Sequence, residues 1–329
     1  MENILEETKF IMKKYNIKAN KSLGQNFLIN GEVVETIVKS ANINKDDLVI
    51  EIGPGLGTLT KFLLQEAKKV ICVELDKNMI NILHDRFLLY NNLEIINEDI
   101  LKLDLKELIK ENKSEVNNVK IVANLPYYIT TPIIMKLLED RLSIDTITVM
   151  IQKEVADRIV SVPGSKLSGA ITYTVNYYAE PESIRLVGRE CFIPQPNVDS
   201  EVIKLNVRKE PVIKVKNQDL FFSIIKCSFM QRRKTLINAL VNGNIIENKE
   251  TAKKILNELK LNENIRGEVL SIEEFGRLSD YIENPYLKQE INNNYKLLKL
   301  DISELDTELN RTAKNSNNKK IISYDTIIW

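Results

Sequence analysis

Short apolar runs punctuate the first two-thirds of this chain, each bounded by glycine or polar residues. Leu48–Ile52, Val70–Val73, Leu93–Ile96 and Val119–Ala123 are four or five residues long, the length of strands buried on both faces. Between the first two, Thr58 to Ala67 sets Leu59, Phe62 and Leu63 on one helical face, and Met79 to Arg86 is a second amphipathic helix. Strand and helix in alternation predict an α/β domain with a doubly wound sheet. Later strands are expected at Asp145–Ile151, Ile171–Tyr178 and Glu201–Val207. Residues 1–40 read as an N-terminal arm with short helices, the second over Gly31–Ser40, and 41–210 as the α/β domain. Pro211 lies in a junction, after which the pattern turns helical: Leu220–Met230, Lys234–Val241, Lys249–Leu259 and Ser271–Ile282. Ser271-Ile272-Glu273-Glu274 has the form of a capping box. Residues 211–286 are thus a small all-helical domain. The extension 287–329 is polar at Asn292–Asn294 and Lys314–Lys320, which predicts partial disorder, with one short amphipathic segment at Leu297–Leu309.

The ends of the first four apolar runs carry the candidate chemistry. Gly53-Pro54-Gly55-Leu56-Gly57 follows the first; such glycines permit a tight turn and close backbone approach to a ligand. The second ends at Glu74, about twenty residues past the first glycine, where a carboxylate accepts hydrogen bonds from ribose hydroxyls. The third ends at Asn97-Glu98-Asp99-Ile100, and Asp99 is placed to accept from an adenine amino group or to be a solvated strand-end charge. The fourth ends at Asn124-Leu125-Pro126-Tyr127. An exocyclic amine of a nucleobase is a poor nucleophile because its lone pair is delocalised. The Asn124 oxygen and the Leu125 carbonyl, fixed by Pro126, offer acceptors for its hydrogens, and Tyr127 a flat surface for the base. The same four residues also suit a plain turn. A dinucleotide enzyme competes for the glycine loop, but its fingerprint wants glycine where Thr58 stands. In an open parallel sheet ligands collect at the carboxyl ends of strands, and all four signals fall on that edge.

Taken together with further segments, these motifs closely resemble the ribosomal RNA adenine dimethyltransferase family. The resemblance runs from about Ile17 to Tyr286 and includes Lys21-Ser22-Leu23-Gly24-Gln25-Asn26-Phe27-Leu28, Gln152 to Arg158 and Val162 to Lys166. It continues through Phe192-Ile193-Pro194-Gln195-Pro196-Asn197-Val198-Asp199-Ser200 and Gln231-Arg232-Arg233-Lys234-Thr235-Leu236. The chain departs from the family at Gln195, where proline is common, and in an arm poorer in arginine.

The resemblance implies a Rossmann-like class I methyltransferase domain followed by a small all-helical domain. It implies S-adenosylmethionine as methyl donor, and transfer to N6 of two adjacent adenosines in the terminal stem-loop of small-subunit (16S) rRNA. Asn26 and Leu28 would close over the cofactor, Gly53, with Gly55 and Gly57, would form its loop, Glu74 would hold the ribose and Asp99 the adenine. Asn124, Leu125 and Pro126 would hold the target amine, and Tyr127 and Phe192 would stack on the base. The expected partner is rRNA within a pre-30S or 30S particle, contacted through Lys21, Lys226, Arg232, Arg233 and Lys234, by a monomer with a part in small-subunit biogenesis. Two alternatives share the fold: the macrolide-resistance methyltransferases of large-subunit rRNA, and non-catalytic assembly or transcription factors.

Composition narrows the chemistry. Lys plus Arg equals Asp plus Glu at 46 each, so no global charge announces nucleic acid. Locally, Lys226 to Lys234 holds four basic residues and no acidic one, interleaved with Phe229 and Met230; on a helix this is a phosphate-contacting face or an ordinary solvated one. His84 is the single histidine, which excludes His-based triads and multi-histidine metal sites, and no metal is expected. Cys72, Cys191 and Cys227 are isolated and odd in number, usage that suits a reducing cytoplasm. Neither a secretory signal nor a membrane-length apolar run is expected.

Overall fold

The computed structural model describes residues 3–20 and 23–284. Lys21, expected to contact RNA, and the extension 287–329 lie outside the described residues. In chain order the elements are α1 (Ile4–Lys14), β1 (Phe27–Leu28), α2 (Gly31–Ala41), β2 (Asp47–Ile52), α3 (Thr60–Glu66), β3 (Lys69–Glu74), α4 (Lys77–Arg86), β4 (Leu93–Asn97) and α5 (Leu105–Asn112). Then come β5 (Asn118–Asn124), α6 (Thr130–Glu139), β6 (Thr146–Gln152), α7 (Lys153–Val160), α8 (Ala170–Tyr178), β7 (Ala179–Val187), β8 (Phe192–Ile193) and β9 (Ser200–Val207). Four helices follow: α9 (Gln218–Met230), α10 (Leu236–Asn242), α11 (Lys249–Glu258) and α12 (Ile272–Ile282).

The described residues divide into two compact units, one of residues 3–20, 23–161 and 174–212, the other of 162–173 and 213–284. The first unit holds a seven-stranded sheet in the order β4-β3-β2-β5-β6-β9-β7. Its first five members are parallel, and β9 runs antiparallel between β6 and β7. Strands β2, β3 and β5 are buried along nearly their whole length, which is why they read as unbroken apolar runs. One face of the sheet, through Val49, Val70, Cys72, Val122, Met150 and Val202, packs against Val33, Val34 and Ile37 of α2 and Leu63 and Leu64 of α3. The amino ends of β2 and β5 are tied by the buried pair Asp47–Lys120 at 2.7 Å, with Asn118 donating to the same carboxylate. β1 and β8 form a separate two-stranded ribbon, Leu28 opposite Phe192.

One expectation about strands is corrected. Ile171–Tyr178 is not a strand but most of α8. Its alternating aromatic and β-branched residues have strand propensity, yet Thr172 and Thr174 are buried as fully as Tyr173 and Val175, and burial all round suits a core helix. The strand there is the next segment, β7, which Glu180, Pro181, Glu182 and an exposed Leu186 disguise; it is the sheet edge, where proline and charge are tolerated.

The second unit is helical. Tyr173 is its anchor: fully buried, it packs its ring at 5.4 Å from Phe229 and edge-on at 5.1 Å from Phe275. Its hydroxyl donates to the Leu270 carbonyl at 2.6 Å and accepts from Gly164 N–H at 2.9 Å. The capping box opens α12, with Ser271 Oγ accepting from Glu274 N–H and Glu274 Oε2 from Ser271 N–H.

One glycine of the loop after β2 is fixed by packing. Gly57 has φ of +82°, and a Cβ there would lie 2.6 Å from the Phe87 ring and 2.9 Å from Leu83. Gly57→Ala therefore meets both backbone strain and overpacking, and should destabilise the protein by about 2–4 kcal/mol. Urea unfolding checks this; a midpoint equal to wild type would show that Phe87 yields without cost.

Candidate active site

The sheet order reverses between β2 and β5, and the crevice at such a switch point, outside the carboxyl ends of the strands, is where an α/β sheet receives a ligand. A cleft opens there. Gly53 and Gly55 line it from the loop after β2, Glu74 from the end of β3, and Asp99 from beyond β4. Asn124, Leu125, Pro126 and Tyr127 line it from the end of β5, and Asn26 and Leu28 from the β1 segment.

Glu74 organises one side of the cleft. It is 8% exposed; its Oε2 accepts from Gly55 N–H at 3.1 Å and its Oε1 from Asp76 N–H at 2.9 Å. Burial pushes its carboxyl up, while those backbone donors pull the other way. Asp76 also accepts from Gln25 Nε2 at 2.9 Å, tying the Gln25-Asn26 segment to the tip of β3. Gly53, at φ +65°, has nothing within 4 Å of where a Cβ would stand, so the space beside it is open to a ligand. Asp99 is half-buried; its Oδ1 caps Leu101 N–H at 3.0 Å.

Asn124 faces both sides of the cleft. Its Nδ2 donates to the Asn26 carbonyl at 3.1 Å, which leaves the side-chain oxygen as an acceptor. Tyr127 is half-buried, its hydroxyl 2.6 Å from Ser200 Oγ at the start of β9, and burial pushes its phenol up. Tyr128, the next residue, also lines the cleft, with its ring 3.2 Å from where a Cβ of Gly24 would be.

Other expected site residues stand elsewhere. Gly57 does not line the cleft but backs onto Phe87. Phe192 is 2% exposed, paired with Leu28 and packed in the core with Val33 and Val202, so its ring presents no open face to a base. The basic run 226–234 is not one helical face. α9 stops at Met230, Lys234 N–H closes a turn onto the Gln231 carbonyl at 2.7 Å, and Thr235 caps α10. Lys226 is half-buried on α9; Arg233 and Lys234 are exposed on the turn. Arg232 Nε is bound to Glu268 at 2.5 Å, and its guanidinium also donates to the Lys166 carbonyl. Among the described residues no group of three or more His, Cys, Asp or Glu is placed to hold a metal ion, and no helix is long and apolar enough to cross a membrane.

Glu51 is the residue that sequence reasoning passed over, although a carboxylate inside the apolar run Leu48–Ile52 was the signal. It lines the cleft floor at 2% exposure. Thr60 Oγ1 donates to its Oε2 at 2.6 Å, and Cys72 Sγ lies 3.4 Å from the same oxygen. Burial pushes its carboxyl up to about 7, with Glu74 adding to the effect. Since the folded value lies above the ordinary 4.5, the unfolded chain loses this proton first as pH rises. The stability carried by the neutral carboxyl is full below about pH 4.5 and is lost as pH climbs through about 7. Glu51→Gln should therefore gain on wild type across that window, by up to about 3 kcal/mol, and level off above it. Melting curves from pH 4 to 8 in which the difference stays flat would mean that Glu51 is ionised in the fold.

The arrangement has known counterparts. The family model described as ribosomal RNA adenine dimethylase matches residues 16–283. The chain is 50% identical over 275 residues to the ribosomal RNA small subunit methyltransferase A of Clostridioides difficile (strain 630), covering 84% of this chain and 94% of that one. It is 51% identical to the protein of the same name from Clostridium botulinum (strain Kyoto / Type A2), covering 84% and 98%. A crystal structure of a dimethyladenosine transferase from Plasmodium falciparum matches with a TM-score of 0.64 at 28% identity, over 77% of this chain and 95% of that one. The 23S rRNA methyltransferase ErmE shares the fold, with a TM-score of 0.60 at 24% identity, over 79% and 100%. Matched along most of its length, with the motif residues gathered at one switch point, the chain belongs to the ribosomal RNA adenine dimethylase family.

Proposed function

We propose that this chain transfers methyl groups from S-adenosylmethionine to N6 of two adjacent adenosines in the terminal stem-loop near the 3′ end of small-subunit rRNA, giving N6-dimethyladenosines. The observation that carries the chemistry is the fixed amide of Asn124. Its nitrogen is engaged by Asn26, so its oxygen is the group left to accept from a target amine. The cleft suits the donor: Gly53 leaves open space for its amino-acid part, Glu74 offers a carboxylate to ribose hydroxyls, and Asp99 an acceptor to the adenine amine. Bound S-adenosylmethionine supplies an electrophilic methyl group on a sulfonium.

The protein's own part is to bind, orient and exclude. Asn124 Oδ1 and the Leu125 carbonyl hold the amine hydrogens and favour rehybridisation that frees the nitrogen lone pair. Tyr127 gives the base its stacking surface, its hydroxyl tethered to Ser200. The nitrogen forms its bond to the methyl carbon as the carbon–sulfur bond breaks, and the surplus proton passes to water, since an N-methylated arylammonium is acidic. Most of the acceleration then comes from in-line placement at near-contact distance. Adenosines in a loop are cheaper to unstack than those in a duplex. On this reading the enzyme works as a monomer in the cytoplasm on rRNA in a pre-30S or 30S particle, a compartment that fits three unpaired buried thiols.

Asn124→Ala should depress single-turnover methyl transfer by about a hundredfold or more while rRNA-particle binding stays near wild type. Transfer within about twofold of wild type, at saturating enzyme and both substrates, would remove Asn124 from its role.

The turn 231–235 supplies a second test. Arg232, Arg233 and Lys234 are all exposed there, and Arg232 is held by Glu268. Arg233→Gln with Lys234→Gln should weaken particle binding, spare cofactor binding, and make the salt dependence shallower by about 0.7–0.9 in log–log slope per lost phosphate contact. Arg232→Gln should instead lower the melting temperature, because it removes the ion pair to Glu268 and the bond to the Lys166 carbonyl. An unchanged salt slope in the double variant would end the RNA role of this turn.

A further inference from the structure

Helix α1 contributes no residue to the cleft, yet its side chains reach the two segments that shape it. Glu7 Oε1 receives Arg86 Nη2 at 2.5 Å, and Glu7 Oε2 lies 3.5 Å from Lys61 Nζ. Arg86 is on α4 and Lys61 on α3, the helix that follows the glycine loop. The other amino group of the Arg86 guanidinium donates to the Leu56 carbonyl, at the middle of Gly55-Leu56-Gly57. The Arg86 side chain is only 12% exposed, and its guanidinium is held between the carboxylate of α1 and the backbone of the loop. One turn further along α1, Ile11 is 5% exposed and packs in a small cluster with Phe27, Leu56, Met79 and Ile82. Phe27 belongs to the Asn26–Leu28 segment, and its ring lies 3.4 Å from where a Cβ of Gly55 would stand. Leu56 and Phe27 both line the cleft.

We infer that Glu7, acting through Arg86 on the Leu56 carbonyl, is a positioning residue for the methyl donor, and that α1 latches the glycine loop and Phe27 into the shape that receives it. This rests on the reading of the cleft as the S-adenosylmethionine site. The physical reason is the loop's own backbone. Gly53, Gly55 and Gly57 all have positive φ, a conformation glycine enters freely and leaves as freely. Gly57 N–H reaches the Pro54 carbonyl at 2.9 Å, and Gly55 N–H is held by Glu74, but the outward Leu56 carbonyl takes its side-chain donor from Arg86. Without Glu7 the guanidinium loses its counter-charge and gains by turning to water, taking the donor from Leu56 with it.

The test compares wild type, Glu7→Gln, Arg86→Gln and the double variant, with S-adenosylmethionine affinity from calorimetry and steady-state kinetics on 30S particles. Glu7→Gln should weaken cofactor affinity about three- to tenfold, appearing in KM for S-adenosylmethionine more than in kcat. The double variant should bind the cofactor no more weakly than Arg86→Gln alone, because the carboxylate works through the guanidinium. Should Arg86→Gln fail to fold, Glu7→Gln still decides the matter, since Glu7 is partly exposed. Cofactor affinity within about twofold of wild type in Glu7→Gln, with or without a lower melting temperature, would reduce α1 to a structural strap and overturn the inference. Multiplicative losses in the double variant would overturn it too. Failure of wild type itself to bind S-adenosylmethionine would strike the reading of the cleft instead, so the two failures are told apart.

Discussion

The contact on which the site depends is the one between the Glu74 carboxylate and the Gly55 amide. It joins the loop after β2 to the end of β3, and it exists only because of register. Ile52 pairs with Val73, and Gly53 N–H continues the ladder to the Val73 carbonyl at 2.9 Å. A shift of one residue would turn Glu74 to the other face of the sheet and send the carboxylate away from the loop. That register is set in turn by the apolar residues of β2 and β3, which must meet α2 and α3 on one face. Packing thus fixes the placement of a polar group that takes no part in packing.

Burial gives the same strands a second, less obvious property. Glu51 and Glu74 lie on paired strands and line one cleft, and desolvation pushes both carboxyls up. They are treated differently by their neighbours. Glu74 has backbone N–H donors, which favour its charged form, and is left able to accept from a ligand. Glu51 has Thr60 and Cys72 beneath the loop, and burial raises its carboxyl to about 7.

How much of this was legible in the sequence follows from what each residue does in the fold. Strands β2, β3 and β5 were legible because burial on both faces leaves no alternation to misread, and the strand tips were legible because glycine, carboxylate and amide each end an apolar run. Edge strand β7 was hidden by the polar residues an edge requires. Helix α8 was misread because Ile171 to Tyr178 is buried all round, so neither period shows in its pattern. Phe192 was assigned to the base from its motif, but a motif does not say on which side of a two-residue ribbon a ring will fall. The basic run looked helical until Thr235, whose side chain accepts from Asn238 N–H, is recognised as the start of a new helix. Glu51 was visible as an anomaly, and only the neighbouring strand and helix show what it is for.

On the proposed function, substrate chemistry and cofactor binding meet in the Asn26 carbonyl. Asn124 can present an oxygen to an amine only if its nitrogen is occupied, and the group that occupies it belongs to the segment that also lines the cofactor side. That segment is not free to drift. Leu28 is paired with Phe192, Ile29 N–H reaches the Cys191 carbonyl at 2.9 Å, and Gln25 holds Asp76. Burying Phe192 in the core therefore has a use apart from any contact with a base: it anchors the ribbon whose other strand orients the Asn124 amide. A cleft that orders its amide acceptor through the backbone of its cofactor segment makes correct placement of one substrate depend on the same few bonds that shape the site for the other.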